Sequence, residues 1–257
     1  MKRVRMVVAY DGTGYHGWQL QPGAVTVEQV LNEKLSELLG EPIEVIGASR
    51  TDSGVHARGN VAVFDTEHRM PADKICPALN QRLPEDIRIQ SSEEVPADWH
   101  PRKCSCVKTY EYKILNRRTE LPMERLYSHF CYFKLDMEQM RLAAERLTGE
   151  HDFKSFCNVR TQVKDTVRRV YSIQLERDER DMITIRVTGG GFLYNMVRII
   201  AGTLLSVGMG QLKPEDMDRI LEARDRSAAG PTAPARGLTL AEIRYDAETT
   251  GRAGQVP

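Results

Sequence analysis

Val167-Arg168-Arg169-Val170-Tyr171-Ser172-Ile173-Gln174-Leu175-Glu176, then Arg177-Asp178-Glu179-Arg180-Asp181, then Met182-Ile183-Thr184-Ile185-Arg186-Val187-Thr188, is two strand-like runs around a short charged turn. Ile183, Ile185 and Val187 recur with period two, as on a half-buried strand, so the stretch predicts an antiparallel hairpin. Outward from it, 104–116 predicts a long strand and 136–147 an amphipathic helix. An apolar helix is expected over about 192–207, another from Pro214, and a last strand over 238–245. In the first half Val4, Met6 and Val8 alternate on an opening strand. Thr26 and Gln29 have capping-box spacing at the start of a helix, which places Val27, Val30, Leu31, Leu35, Leu38 and Leu39 on one face and closes at Gly40. Strands at 43–47, 60–65 and 86–90 and a helix over 71–83 complete that half. Hairpins and alternation give an α+β fold of mainly antiparallel sheets, with helices covering one face of each. The expected organisation is an N-terminal domain over 1–105, a C-terminal domain over 106–247 and a flexible tail over 248–257. The segment 227–237, rich in Ala, Pro and Gly, is read as linker-like.

The chain has 257 residues and is 41% hydrophobic, enough to build real cores. No apolar run reaches bilayer length and the start reads directly into a strand, so a soluble cytoplasmic protein is expected. Five cysteines without a paired framework suit reduced thiols, and the absence of Cys-x-x-Cys or close His pairs speaks against zinc. Net charge is zero, but the charges are segregated. Residues 100–118 hold six Lys/Arg against Glu111, 154–169 hold five against Asp165, and 85–98 hold five acidic residues against Arg88. Such patches can hold phosphates even when the total cancels; ordinary solvated surface is the plainer alternative.

Gly47-Ala48-Ser49-Arg50-Thr51-Asp52-Ser53-Gly54-Val55-His56-Ala57-Arg58 packs many functional groups between two strands. Asp52 suits turn chemistry with Arg50 as an ion-pair partner, or a nucleophilic or general-base carboxylate kept ionised by that arginine. Gly12-Thr13-Gly14-Tyr15-His16-Gly17 spells G-x-G-x-x-G after a strand. A dinucleotide turn needs the helix to open inside the glycines, whereas here it starts near Thr26, so a turn displaying Tyr15, His16 and Trp18 is expected instead. Tyr110 and Tyr112 alternate on one strand face, which suits either the core or stacking on an unpaired base. Arg198 lies among Met196, Val197, Ile199 and Ile200, where burial calls for an anion partner, and Asp52 is a candidate.

Tyr10–Gln19, Arg50–Ala57, Trp99–Arg102, Lys108–Tyr112, His151–Phe156 and Gly191–Arg198 resemble, in order, the successive motifs of the TruA-type tRNA pseudouridine synthases. The resemblance covers residue 4 to about 245. It implies two RRM-like domains flanking a basic active-site cleft. It implies isomerisation of uridine to pseudouridine at positions 38, 39 and 40 of the tRNA anticodon stem-loop. It also implies a homodimer in which one tRNA contacts both subunits, no cofactor and no metal. By motif match Asp52 is the nucleophile, Arg50 helps extrude or hold the nucleotide, Tyr110 packs on the uracil and Arg198 pairs with the Asp52 carboxylate. Arg58 and Leu193 join the substrate-binding set. The chain departs from the family pattern at Trp99, Pro101, Lys103 and Cys104, where Phe, Ala, Phe and Ser are commoner. An RNA-binding or RNA-chaperone protein without catalysis is the alternative, separated by the presence of Asp52 together with Arg50 and Tyr110.

Overall fold

The computed structural model describes residues 1–159, 161 and 163–246. The expected tail over 248–257 and two positions of the basic 154–169 stretch, Arg160 and Gln162, lie outside the described residues. Two compact units divide the described residues: Met1–Cys106 with 240–246, and Val107–Thr239.

In the first unit the strand order is β4 (Ile87–Val95), β1 (Lys2–Tyr10), β3 (His56–Thr66), β10 (Leu238–Tyr245), with the short β2 (Ile46–Gly47) beside β3. β1 is antiparallel to both β3 and β4, with Val4 opposite Phe64 and Met6 opposite Ala62. Val4, Met6, Val8 and Tyr10 form its buried face. The opposite face is also covered: Val61, Val63 and Val95 pack with Trp99, and Val7, Ile243 and Tyr245 border that cluster. Trp99 meets Tyr245 edge-on at 4.9 Å, and the Tyr245 hydroxyl donates to the Pro101 carbonyl at 2.9 Å. The departures at Trp99 and Pro101 are thus absorbed by one local packing group.

Helix α1 (Val27–Leu39) begins where the Thr26 side chain accepts from the Gln29 N–H and ends at Gly40 in the left-handed conformation, as the capping pattern predicts. The strand expected over 43–47 shrinks to two residues, because the Ile43 N–H donates to Ser36 Oγ and the Val45 N–H to Asn32 Oδ1. Those donors serve the side chains of α1 rather than a ladder. Helix α2 (Ala72–Asn80) is shorter than expected and β4 is longer.

The second unit orders β5 (Cys106–Asn116), β9 (Met182–Gly189), β8 (Val167–Arg177) and β7 (Gly149–Asp152), with β6 (His129–Cys131) parallel to β5. The 167–188 hairpin forms as read, Leu175 opposite Ile185. Helix α3 (Met137–Arg146) is capped by Asp136, whose side chain accepts from the Glu138 and Gln139 N–H groups. Helix α4 (Met196–Gly208) begins four residues later than expected, after a left-handed residue at Asn195, and α5 is Asp216–Ala223. The fold class is α+β with mainly antiparallel pairing, as expected. No helix of the described residues is long and apolar enough to cross a membrane.

Candidate active site

Asp52 lies half-buried on the connection from β2 to β3, and three sets of contacts fix that connection. At its start, buried Asn60 accepts the Ser49 N–H (3.3 Å) and donates to the Ser49 carbonyl (3.0 Å). In the middle, the Thr51 hydroxyl meets the Tyr10 hydroxyl at 2.7 Å, and the Thr51 carbonyl accepts the Trp18 N–H at 3.0 Å. At its end the Val55 N–H returns to the Asp52 carbonyl at 3.1 Å, closing a turn through Gly54 (φ 76°). Next comes His56, whose Nδ1 accepts the Gly12 N–H at 3.0 Å and stands 3.1 Å from Asp11 Oδ1.

The Gly12–Gly17 segment supports this loop. A Cβ on Gly12 would stand 2.0 Å from the Val55 carbonyl oxygen, and one on Gly17 2.6 Å from that of Thr51, with Gly17 at φ 85°. These positions admit glycine for closeness of approach. Residues Gly12–Gly14 form a 3-10 turn capped by Asp11. The expected display of Tyr15, His16 and Trp18 is corrected: Tyr15 and Trp18 are buried and only His16 is exposed. The Tyr15 hydroxyl donates to Asp86 Oδ1 at 2.6 Å, and burial followed by that bond pushes its phenol far above the usual range. Arg50 and Arg58 are exposed, and no ion pair joins Arg50 to Asp52 among the described residues.

The second unit carries the other residues of interest. Tyr110, on β5, is half-buried with its ring 5.3 Å from Phe192 in an edge-to-face contact (88°). Tyr112, two residues on, is fully buried; its hydroxyl donates to the Pro234 carbonyl at 2.9 Å and burial raises its phenol well above the usual range. Tyr110 and Tyr112 thus differ in burial, the first half-buried and the second fully buried. Leu193 is 6% exposed. Arg198, half-buried in the first turn of α4, donates from Nε to the Ala233 carbonyl (2.8 Å) and from Nη1 to Asn195 Oδ1 (3.2 Å).

The segment 227–237 is therefore not a linker. The Ala233 N–H donates to the Arg198 carbonyl at 3.1 Å, the Gly230 N–H to Thr203 Oγ1 at 3.0 Å, and Pro234 holds Tyr112. Small residues there allow close packing against α4 and β5. The residues that sequence reasoning missed are His56, Asn60, Thr51, Asn195 and Ala233. Asn60 had a signal, as an amide inside an apolar strand. The Phe153 and Phe156 of the His151–Phe156 motif are wholly buried core. Among the described residues no group of three or more His, Cys, Asp or Glu could hold a metal ion.

The sequence profile described as tRNA pseudouridine synthase matches residues 6–102 and 143–246. The chain belongs to that family, and is an isomerase. Relatives include the tRNA pseudouridine synthase A of Ruminiclostridium cellulolyticum, 47% identical over 245 residues, which covers 95% of this chain and 100% of that one. That of Caldicellulosiruptor bescii is 44% identical with the same coverage, 95% and 100%. Among solved structures, a chain of a Cbf5–Nop10–Gar1 complex overlaps with a TM-score of 0.32 at 15% identity, covering 78% of this chain and 54% of the other, too slight a likeness to carry an argument.

Proposed function

We propose that the protein converts uridine to pseudouridine at positions 38, 39 and 40 of the tRNA anticodon stem-loop, with the Asp52 carboxylate as nucleophile. The observation that carries this is the Asp52 connection itself: a half-buried carboxylate between Thr51 and Val55, whose backbone is held by the Gly12–Trp18 segment. Family membership supplies the reaction class, and the matched motif supplies the residue. The N1–C1′ bond breaks, the uracil turns, and a C5–C1′ bond forms while C5 loses a proton and N1 gains one. Attack at C1′ and proton abstraction at C2′ both begin with the same carboxylate. No group is oxidised and no bond is hydrolysed, so the chemistry calls for neither cofactor nor metal.

The uridine must leave its stack, which costs a few kcal/mol. Tyr110 packs on the extruded base, Leu193 of the Gly191–Arg198 motif joins the substrate-binding set, and Arg50 on the Asp52 loop and Arg58 near the start of β3 serve phosphate or nucleotide contacts. Arg198 serves as the cation for the carboxylate. The enzyme works as a homodimer on one tRNA, and sedimentation at micromolar concentration tests that state. Incubation with unmodified tRNA, followed by mass-sensitive labelling of pseudouridine, tests the chemistry. Asp52→Asn binds tRNA and makes no product; normal turnover by that variant removes the nucleophile assignment.

A further inference from the structure

We propose that Asn195 is a positioning residue that fixes the Arg198 guanidinium for the isomerisation, an inference that rests on the role given to Arg198 above. Asn195 stands at φ 62° and ψ 5°, a left-handed conformation that side chains other than glycine rarely adopt. It occupies the N-cap of α4, where Asn ordinarily takes extended angles and bonds a backbone N–H of the first turn. Here its side chain makes no capping bond. The Met196 N–H goes instead to the Leu193 carbonyl at 3.0 Å, and the Asn195 amide oxygen turns to Arg198 Nη1 at 3.2 Å.

The second tie runs to Ala233, whose carbonyl takes Arg198 Nε at 2.8 Å and whose N–H returns to the Arg198 carbonyl at 3.1 Å. The chain around that acceptor is pressed on α4: a Cβ on Gly202 would stand 1.8 Å from the Pro231 carbonyl oxygen. Two bonds from different nitrogens of a planar group fix its plane and its direction. Helix stability does not explain the arrangement. A cation in the first turn opposes the helix dipole, and the Asn195 side chain makes no capping bond, so α4 receives from this residue only the main-chain bond from the Ile199 N–H to its carbonyl, which any residue there would give. The strain therefore points to the guanidinium.

Asn195→Gly separates the two possibilities, because glycine takes the left-handed angles without penalty. The melting temperature stays the same or rises. The single-turnover rate on unmodified tRNA falls about tenfold, the loss expected from freeing one bond to a charged group, while tRNA affinity stays within about twofold, since a bond to Arg198 is not a bond to RNA. In an Arg198→Lys background the same substitution adds no further loss, because the lysine lacks the second nitrogen. Asn195→Gly turning over at the native rate, while Arg198→Ala is inactive, overturns the positioning role and leaves Arg198 in place. Arg198→Ala turning over at the native rate overturns both. A rate loss that follows a falling melting temperature, or an equal loss in the Arg198→Lys background, assigns Asn195 to the fold and overturns the inference.

Discussion

Replacing Gly12 by alanine asks how closely the Asp52 loop must be held. The new methyl carbon would stand 2.0 Å from the Val55 carbonyl oxygen and 2.6 Å from its carbon. Non-bonded carbons do not approach closer than about 3 Å, so the backbone at Val55 must retreat by about 1 Å. Both obstructing atoms are main chain, and no rotamer change relieves them. The retreat pulls on the Val55 N–H bond to the Asp52 carbonyl and on the Gly12 N–H bond to His56, each near 3 Å at present. Overpacking of this kind costs about 1–3 kcal/mol of stability. A displacement of about 1 Å at a reacting group can cost about 100-fold in rate. The single-turnover rate of Gly12→Ala should fall by that order, with tRNA affinity close to native. Pseudouridine formation is followed in rapid-quench samples, with thermal unfolding of the same preparation. A native rate with a native melting temperature would refute the claim that this contact sets the loop.

Three further outcomes are expected. His56→Asn keeps an acceptor near the Nδ1 position for the Gly12 N–H and should retain most of the rate, whereas His56→Ala strands that buried donor and should cost about 1–3 kcal/mol in stability and slow the reaction; equal behaviour of the two in melting and turnover would count against the bond. Arg3 hydrogen-bonded to Asp65 holds that carboxyl below its usual range, so the pair's contribution is present at neutral pH and is lost as pH falls through the acid range below about 4. Asp65→Asn should flatten the acid limb of the stability curve, by a small amount because the pair is partly exposed, and a limb as steep as the native one would show that other carboxylates govern it. Trp99→Phe removes a buried indole N–H that has no hydrogen-bond partner, which offsets the lost area, so its melting temperature should stay near native while Trp99→Ala loses about 3–5 kcal/mol.

Strong periodic elements were legible in the sequence: the 167–188 hairpin, α1 with both its caps, and the final strand. Apolar period and cap chemistry are local properties, which is why they survive in one dimension. β6 and β7, of three and four residues, are too short to show a period. The 43–47 segment forms only a two-residue strand because its backbone donors pair with side chains of α1, which apolar alternation does not reveal. Asp52, Tyr110 and Arg198 stood out as functional groups in unusual company, and the resemblance attached roles to them. Their supports did not stand out. Asn195 reads as an ordinary cap until its φ is known, and Ala233 contributes only a carbonyl. Composition misled at 227–237, because Gly, Ala and Pro mark both loose loops and chain packed too tightly for larger side chains.

Gly12 and Gly17 have a consequence for redesign. Where main chain rests on main chain, there is no side chain to trade, so these contacts leave almost no room for substitution. Arg50 on the same loop faces solvent, and its exchange disturbs no main-chain contact of that kind. Retargeting toward a different nucleotide context should therefore start with a library at that position, holding the glycine-bearing segment invariant.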